Sequence, residues 1–311
     1  METWNSVTFG FMDRRGKWRE RKTFESIEQL IKSTGANTVI LPVVVEQEKT
    51  YSTFIDWKNP NVLSDNEISE MIEFIHNQGL KVILKPMINV RDGSWRAHIN
   101  FFPKDIPNEP SWSEWFQNYL VFISHYAELA QVTKCEMLVI GCELVNSDYR
   151  EKEWRNVIKK IREIYGGLLT YNCNKYQESN IKWWDDLDYI SSSGYYPIDC
   201  WDKEIDRISE VIEKYNKPFF FCEVGCPSRK HAKFRPNDWT LPLELSLEDQ
   251  LEWYSVMFET CFKRNFISGF GIWDWKSTLY SLIEAQVDTD YSIYGKPVLS
   301  VIRKYFEKIQ K

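Results

Sequence analysis

The stretch that decides the fold is Pro218-Phe219-Phe220-Phe221-Cys222-Glu223-Val224-Gly225. Four apolar residues after a proline predict a buried β-strand, and a glutamate follows at its C-terminal tip, two positions before a glycine. A second stretch, Glu136-Met137-Leu138-Val139-Ile140-Gly141-Cys142-Glu143-Leu144, is also an apolar strand ending in a glutamate. Because a carboxylate is costly to bury unless it is paired or has chemistry to perform, the two strands predict a carboxylate pair, Glu143 and Glu223, in one pocket. A salt-bridged glutamate at each strand end is the structural alternative.

Outward from these two strands, the chain alternates between short apolar runs and segments of helical periodicity. The apolar runs predict eight strands, at 7–11, 38–44, 81–88, 136–144, 168–172, 189–193, 218–225 and 267–273. The helical segments are 24–31, 64–79, 111–131, 151–165, 183–187, 204–215, 247–264 and 298–309. Ser64 with Glu67 three residues later predicts a capping box, and Ser111 or Ser113 is expected to cap the third helix.

Strands separated by helices must run parallel, with right-handed crossovers. Eight such units in 311 residues predict an α/β fold, a (β/α)8 TIM barrel in which residues 1–311 form a single domain. An open doubly wound sheet is the alternative, but no glycine-rich phosphate-binding loop follows the first strand. A barrel brings the C-terminal ends of all strands to one face, and functional residues are expected there.

Composition argues against several classes of partner. The chain is 43% hydrophobic and 27% charged, with a net charge of −6 and a pI of about 5.5. The acidic balance argues against nucleic acid or an anionic membrane, and the sequence holds no apolar run long enough to predict a membrane-spanning helix. The N-terminus lacks the basic start and apolar segment of a signal peptide, so we expect a cytoplasmic protein; a secreted protein whose leader has been removed is the alternative.

The seven cysteines also predict a reducing compartment. Their number is odd, and Cys142 and Cys222 stand inside apolar strands, where a free thiol packs as a small apolar group. Cys222 and Cys226 have no histidine or second cysteine pair at zinc spacing, so we expect no metal and no cofactor.

Aromatic residues make up 15% of the chain, with 14 Trp and 16 Tyr, more than a core alone requires. Because the faces of Trp and Tyr match the C–H faces of pyranose rings, this surplus favours a sugar-binding cleft. Core packing is the alternative, and Trp183, Trp184 and Trp253, at helical positions, are expected to pack.

Polar and aromatic residues stand at or near the predicted strand ends. They are Lys85, Glu143, Asn172, Asn174, Tyr195, Tyr196, Glu223 and Trp273. Strands four and seven lie on opposite sides of an eight-stranded barrel, so Glu143 and Glu223 can face each other across its mouth. Glycoside hydrolysis requires two such carboxylates, one protonated and one ionised. Trp95 and Arg96, in the aromatic segment 89–110, are predicted to line the same cleft, with a folded-back structural loop as the alternative.

These residues also carry a family resemblance. Gly141-Cys142-Glu143-Leu144 and Phe221-Cys222-Glu223-Val224-Gly225 resemble clan A of the glycoside hydrolases, the "4/7" barrels. Over nearly the whole chain, the sequence resembles glycoside hydrolase family 113, the β-1,4-mannanases. The stretches that carry this resemblance are Thr8-Phe9-Gly10, Gly35-Ala36-Asn37-Thr38-Val39, Leu84-Lys85-Pro86, Asp92-Gly93-Ser94-Trp95-Arg96, Thr170-Tyr171-Asn172, Trp184-Asp185-Asp186-Leu187-Asp188, Gly194-Tyr195-Tyr196-Pro197 and Gly271-Ile272-Trp273-Asp274-Trp275.

The resemblance implies a retaining mechanism, with Glu143 as general acid/base and Glu223 as nucleophile. Retention requires carboxyl groups about 5–5.5 Å apart, against about 6.5–9.5 Å for an inverting pair. Tyr195 or Tyr196 would hydrogen-bond Glu223 and hold it ionised, with Tyr195 the favoured candidate. Trp273 would form the platform beneath the sugar being cleaved, with core filling as the alternative.

Cys142 departs from the clan pattern. An asparagine commonly stands at this position and contacts the sugar 2-OH, whereas a cysteine is a weak donor. Asn172, Asn174 and Lys85 are the candidates to contact that hydroxyl, which is axial in a mannoside. Alternatively, Lys85 is an ion partner that favours the ionised form of one glutamate, and Asn174 caps a loop.

The sequence therefore predicts a retaining endo-β-1,4-mannanase that acts on mannan or manno-oligosaccharides. The alternatives are an exo-acting β-mannosidase and another clan A β-glycanase of the cellulase or xylanase type. A non-catalytic oligosaccharide-binding barrel is disfavoured because such a barrel need not keep both glutamates. Chain-length preference and oligomeric state are left open by the sequence.

Overall fold

Eight parallel strands pair in chain order and close into a barrel in the computed structural model, which describes residues 2–309. The strands are β1 Trp4–Phe9, β2 Thr38–Gln47, β3 Lys81–Val90, β4 Met137–Cys142, β5 Leu168–Cys173, β6 Ile190–Ser193, β7 Phe219–Val224 and β8 Ile267–Trp275. β1 pairs with β8 and closes the ring. The predicted (β/α)8 barrel is confirmed, and its eight strands form one closed sheet within a single domain.

Helices pack around the outside of the barrel. They are α1 Arg21–Thr34, α2 Asp65–Asn77, α3 Trp112–Thr133, α4 Glu151–Arg162, α5 Trp201–Tyr215, α6 Leu247–Cys261, α7 Leu282–Ala285 and α8 Val298–Ile309. Between β5 and β6 the only helical segment is a 3-10 turn, Trp184–Asp186. Ser64 and Glu67 form the predicted capping box, and Ser111, rather than Ser113, caps α3.

Several predicted boundaries were displaced by a few residues. β1 begins at Trp4 and not at Val7, and α5 begins at Trp201 and not at Glu204. Such ends depend on tertiary contacts more than on local periodicity. Trp201, for example, is buried, although its position precedes the apolar pattern from which the helix was predicted.

Two apolar layers hold the barrel together. The interior of the barrel is filled by side chains that point inward from the strands, namely Trp4, Ile40, Ile83, Met137, Val139, Tyr189, Phe220 and Cys222. A larger layer lies between the strands and the helices. Trp183, Trp184 and Trp253 are fully buried in this outer layer, as expected of packing residues.

A shift of register turns Glu223 toward the mouth of the barrel. Phe220 and Cys222 point inward and Phe221 points to the helices, so strict alternation along β7 would turn Glu223 outward. The register of β7 against β8 shifts between Phe221 and Val224. Because such an irregularity re-aims the side chains that follow it, Cys222 and Glu223 both face the interior.

A similar shift in β4, just before Cys142, precedes Glu143. Glu143 adopts a left-handed backbone with a φ of 51°, which is uncommon for a residue other than glycine, and its N–H donates to the Asn172 carbonyl at 2.8 Å. Close packing beneath the turn explains Gly141, where a Cβ would lie 2.8 Å from the ring of Tyr171. Packing at the tip of β4 therefore leaves no room for a side chain at position 141.

The cysteines are free thiols, and all but Cys200 are buried. Among residues 2–309, no helix is long and apolar enough to cross a membrane. The same residues contain no group of three or more His, Cys, Asp or Glu side chains that could hold a metal ion.

Candidate active site

Glu143 and Glu223 lie in one pocket at the C-terminal face of the barrel. Both are buried, with exposed fractions of 8% and 4%. The Cys142 Sγ is 3.5 Å from Glu223 Oε1 and 3.9 Å from Arg96 Nη1, and that same nitrogen is 3.1 Å from Glu143 Oε2. Burial and the charge of Glu223 both raise the pKa of Glu143, so the two carboxylates interact electrostatically.

The surroundings of Glu223 favour its ionised form. Lys85 forms a buried ion pair with Oε1, and the Tyr195 hydroxyl donates to Oε2 at 3.0 Å. Burial alone would raise the pKa of Glu223. The charge and hydrogen bond of Lys85, the charge of Arg96 and the hydroxyl of Tyr195 outweigh burial and hold this pKa below its usual range.

The surroundings of Glu143 favour its protonated form. Ser193 donates to Oε1 at 2.8 Å, while Arg96 and the indole N–H of Trp95 approach Oε2 at 3.1 and 3.4 Å. Burial and the charge of Glu223 outweigh these contacts, and the pKa of Glu143 lies above its usual value.

A continuous chain of hydrogen bonds joins the two glutamates. Lys85 donates to Asn172 Oδ1 at 2.8 Å, and Asn172 Nδ2 donates to Ser193 Oγ at 2.9 Å, which in turn donates to Glu143. Lys85 lies in the middle of β3, and both Lys85 and Asn172 are fully buried beneath the carboxylates. The polar groups of both side chains are therefore used within the protein, and they fix the positions of the two acids.

An aromatic cluster lies beside Glu223. It consists of Tyr195, Trp273 and Tyr291, with the ring of Phe11 at 4.5 Å from that of Trp273. Trp273 is 7% exposed, and the peptide bond that follows it is cis. Glu223 therefore has a flat apolar surface next to it, whereas Glu143 is surrounded by polar groups.

The profile of Glycoside Hydrolase Family 113 matches residues 7–296. This chain belongs to glycoside hydrolase family 113. It is therefore a glycosidase, and the family resemblance seen in the sequence is confirmed.

Solved structures of family 113 proteins superpose closely on this chain. Two of them, a "GH113 beta-1,4-mannanase" alone and in a complex, are 45% identical, cover 99% of both chains and give a TM-score of 0.97. The GH113 β-mannanase AaManA from Alicyclobacillus acidocaldarius, in complex with ManMIm, is 38% identical over 99% of this chain and 98% of that chain, with a TM-score of 0.96. A β-D-glucuronidase from Dictyoglomus thermophilum, 18% identical with a TM-score of 0.65, shares the fold alone. No curated protein matched the sequence.

In this family 113 chain the two neighbouring tyrosines point to different sites. Tyr195 reaches Glu223, whereas the hydroxyl of Tyr196 donates to Glu178 Oε1 at 3.0 Å. Glu178 is fully buried and ion-paired with Arg207 at 2.7 Å. Tyr196 therefore belongs to a separate buried ion cluster behind β6.

Trp95 and Arg96 lie at the edge of the pocket. Arg96 is anchored by two further bonds, from Nε to the Ile88 carbonyl at 3.0 Å and from Nη2 to Asn89 Oδ1 at 2.6 Å. Trp95 is 43% exposed, and its indole N–H approaches Glu143 Oε2 at 3.4 Å. Arg96 therefore both holds the loop in place and contacts Glu143, so the two alternatives from the sequence are not exclusive for this residue.

Asn174 lies half-buried on the loop after β5. Its carbonyl accepts a hydrogen bond from the Gln177 N–H at 3.1 Å, so its backbone closes a turn. The turn places the neighbouring Lys175 beside Tyr195, whose carbonyl accepts from Lys175 Nζ at 2.8 Å.

Sequence reasoning missed two polar residues of the site. Ser193 is the last residue of β6, and a polar side chain at a strand tip was an available signal. Lys175 had no such signal, because its second partner, Asn237 Oδ1 at 2.8 Å, comes from a distant loop. Burial lowers the pKa of Lys175 to about 8.

Proposed function

We propose that this family 113 glycosidase is a retaining endo-β-1,4-mannanase that hydrolyses β-1,4-mannosidic bonds in mannan or manno-oligosaccharides. The observation that carries the proposal is the pair of buried carboxylates, Glu143 and Glu223, whose surroundings move their pKa values in opposite directions. The substrate class is supported by the 45% identical β-1,4-mannanase structures, which match over 99% of the chain.

In the first step, ionised Glu223 attacks the anomeric carbon while protonated Glu143 gives its proton to the departing glycosidic oxygen. The carbon–oxygen bond to the leaving sugar breaks as the bond to the Glu223 carboxylate forms. Lys85 and Tyr195 hold the nucleophile ionised and oriented. The product is a covalent glycosyl-enzyme.

In the second step, Glu143 acts as the base. Esterified Glu223 carries no charge, so one of the causes that raise the pKa of Glu143 is removed at the intermediate. Glu143, now ionised, takes a proton from water as the water oxygen attacks the anomeric carbon. The bond to Glu223 breaks, and the released sugar keeps its original anomeric configuration.

Four of the predicted residues, Trp273, Trp95, Asn174 and Arg96, are proposed to bind the sugar. Trp273 is the platform at the cleaved residue, and Trp95 and Asn174 line the rim of the cleft. Arg96 is the proposed donor to the axial 2-OH, because its Nη1 lies beside Cys142, where the clan commonly has asparagine. This assignment is compatible with Lys85 and Asn172 being buried and bonded to other groups.

We also propose that the whole chain acts as one catalytic unit in the cytoplasm. Buried free thiols support a reducing compartment. Such a protein would act on imported manno-oligosaccharides. Cell fractionation with an antibody to the protein tests this, and recovery in the culture medium would contradict it.

The experiment that tests the function compares mannohexaose, cellohexaose and xylohexaose as substrates. We expect hydrolysis of mannohexaose to internal fragments such as mannotriose, with little or no product from the other two. Release of mannose alone from the earliest time points would favour the exo-acting β-mannosidase. Calorimetric binding without any product would favour the non-catalytic barrel and overturn the proposal.

Retention is tested separately by proton NMR of the first product. We expect the β-anomer to appear first and the α-anomer to grow in by mutarotation. An initial α-anomer would show an inverting enzyme and would contradict the role given to Glu223.

A further inference from the structure

Lys296 carries a buried ammonium group that the proposed mechanism does not use. Its side chain is fully buried, and its Nζ donates to Ser228 Oγ, to Asp288 Oδ1 and to the Asp290 carbonyl, each at 2.9 Å. An ammonium group has three N–H donors, so each of them has a partner. Because a buried charge is costly unless it is paired and hydrogen-bonded, this arrangement indicates a specific task for the lysine.

The three acceptors come from two loops that follow neighbouring strands. Ser228 lies in the loop 225–246 after β7, whereas Asp288 and Asp290 lie in the segment 276–297 after β8. The two loops also bond to each other directly. Ser228 Oγ donates to the Asp288 carbonyl at 2.6 Å, and the Ser228 N–H donates to the Asp290 carbonyl at 3.3 Å. The ammonium group therefore holds the two loops together at one point.

Asp290 is followed directly by Tyr291, a buried residue that packs against the surroundings of the proposed nucleophile. The Tyr291 ring centroid lies 6.1 Å from that of Tyr195, whose hydroxyl donates to Glu223 Oε2 at 3.0 Å. A Cβ at Gly225, two residues after Glu223, would lie 3.0 Å from the Tyr291 ring. Tyr291 therefore packs against both Tyr195 and the backbone that follows the nucleophile.

Other charged groups surround the ammonium group. Lys276 Nζ lies 3.2 Å from Asp288 Oδ2, so this carboxylate has a second cation, whose side chain is 35% exposed. The carboxyl group of Asp274 interacts with both lysines, and burial raises its pKa to about 7. Since Lys276 also supplies positive charge here, what distinguishes Lys296 is its set of hydrogen bonds to the two loops.

We propose that Lys296 is a positioning residue for the hydrolysis: by holding the segment before Tyr291, it keeps Tyr195 placed to donate to Glu223. The inference rests on the proposed role of Glu223 as nucleophile and adds to it a support outside the pocket. The proposed effect passes through Tyr195 and involves no contact between the lysine and the sugar.

The test compares the pH profile of kcat/KM on mannohexaose among three variants. Tyr195→Phe removes a hydrogen bond that lowers the pKa of Glu223, so its acid limb should move up by roughly one pH unit. Lys296→Met is expected to move the limb in the same direction, about half as far. Its kcat should fall about tenfold and its KM change less than about twofold, because a misplaced nucleophile impairs the reaction and not binding. The double variant should move the limb no further than Tyr195→Phe alone.

Lys276→Met is the matched control. It removes the other cation beside Asp288 and leaves the bonds of Lys296 to the two loops in place, so its acid limb should stay at the wild-type position. Ser228→Ala removes one hydroxyl from the contact between the loops. We expect it to lower kcat about threefold and to move the acid limb in the same direction as Lys296→Met. It decides the question if Lys296→Met does not fold.

An acid limb that stays in place in Lys296→Met, or in Ser228→Ala if the first variant does not fold, overturns the inference. The proposed function is then intact, provided that the wild type cleaves mannohexaose. A double variant whose limb moves by the sum of the single shifts also overturns the inference, because Lys296 would then act by a route other than Tyr195. So does an equal shift in Lys276→Met, which would indicate an effect of charge alone. A wild type without activity on mannohexaose overturns the proposed function itself.

Discussion

The surroundings of Glu143 and of Glu223 differ, although both side chains are buried in the same pocket. Burial raises the pKa of each carboxyl group. Glu223 has a fully buried ammonium group, Lys85, in direct contact, and this cation overcomes the effect of burial. Glu143 has a second negative charge nearby, and its own cation, Arg96, does not overcome it. The pKa values of two residues of the same type are therefore moved in opposite directions by where the cations lie, which supports the different roles proposed for them.

The two cations also differ in how they are held. Lys85 is 0% exposed and is bonded to Glu223 and Asn172, so solvent does not screen its charge. Arg96 shares its donors with the Ile88 carbonyl, with Asn89 and with Glu143. This difference supports the proposed retaining mechanism, which needs one carboxylate held ionised and one that carries a proton.

Removal of the proposed nucleophile is the strongest test of the difference between the two glutamates, because it is expected to have the largest effect on activity. We expect Glu223→Ala to lower kcat on mannohexaose by about 10⁴-fold or more, because no other group can form the covalent intermediate. Initial rates with purified protein at high enzyme concentration measure this. Thermal melting checks that the fold is retained.

Glu143→Ala is the matched partner of that variant. We expect its loss to be large on mannohexaose and much smaller on a dinitrophenyl β-mannoside, whose leaving group departs without acid assistance. Glu223→Ala should lose activity on both substrates. Equal behaviour of the two variants on the activated substrate would show that the roles are not divided as proposed.

Lys85→Met tests the charged side of the pocket. Without the ammonium group, burial raises the pKa of Glu223, so less of it is ionised at neutral pH and the acid limb of the kcat/KM profile moves to higher pH. We expect kcat/KM near pH 7 to fall roughly 100-fold and stability to fall by about 3 kcal/mol, because a buried carboxylate loses its partner. Lys160→Met, at an exposed ion pair on α4, is the control. If the acid limb of the kcat/KM profile does not move in Lys85→Met, the role given to Lys85 is wrong.

The main outline of this pocket was predictable from the sequence. Apolar runs with glutamates at their tips identified β4 and β7, and alternation of eight strands with helices identified the barrel. Lys85 follows Ile83 with a spacing of two, so it points inward as a regular strand requires. These features depend on local periodicity, which a single sequence displays.

Local periodicity alone does not predict features that depend on irregular backbone. Strict alternation would have turned Glu223 outward, and only the register shift after Phe221 brings it into the pocket. Tyr195 and Tyr196 are adjacent and chemically identical, yet they bond to Glu223 and Glu178. The partner of each side chain is decided by tertiary packing between segments far apart in the chain, which local secondary-structure propensity does not encode.

Arg96→Gln tests the other side of the pocket. Arg96 lowers the pKa of Glu143 through a direct contact, so its removal raises that pKa and moves the basic limb of the kcat/KM profile to higher pH. We expect this limb to move further than the acid limb, and kcat/KM at neutral pH to fall roughly tenfold, the value of one hydrogen bond to a charged group. Arg91→Gln, at an exposed ion pair, should leave the profile unchanged. A larger movement of the acid limb would assign Arg96 to Glu223 instead.

Tyr171→Phe tests the support beneath Glu143. The Tyr171 hydroxyl accepts from the Leu144 N–H at 3.0 Å and donates to Asp148 Oδ1 at 2.6 Å, directly below the left-handed turn. Loss of this hydroxyl leaves the Leu144 N–H and Asp148 Oδ1 unpaired. We therefore expect the free energy of unfolding to fall by about 1–3 kcal/mol and kcat to fall roughly threefold. Tyr165→Phe, which removes a buried hydroxyl bonded to the Cys135 carbonyl, is the control, with lower stability but wild-type kcat. An equal change of kcat in both variants would show a general effect of destabilisation.

Asp148→Asn has the smallest expected effect on activity, and its readout is the pH dependence of stability. Burial raises the pKa of Asp148 to about 8, well above the value of an unfolded aspartate, and one carboxylate oxygen has no hydrogen-bond partner within the described chain. A group whose pKa is raised by folding stabilises the protein at low pH, and that stability is lost as the pH rises toward 8. Asparagine carries no charge at any of these pH values and can still accept from Tyr171.

We therefore expect Asp148→Asn to gain stability relative to the wild type as the pH rises from 5 to 8, by more than about 1 kcal/mol, with kcat within about threefold. Urea unfolding at several pH values measures the difference. In Asp148→Asn the loss of stability with rising pH should be smaller than in the wild type but not absent. Burial also raises the pKa of Asp274 to about 7, and this group likewise makes stability fall as the pH rises. If the difference between the two proteins is instead constant with pH, Asp148 is already ionised in the folded state. Tyr171 would then donate to a charged carboxylate, and the support under Glu143 would include a charge-assisted hydrogen bond.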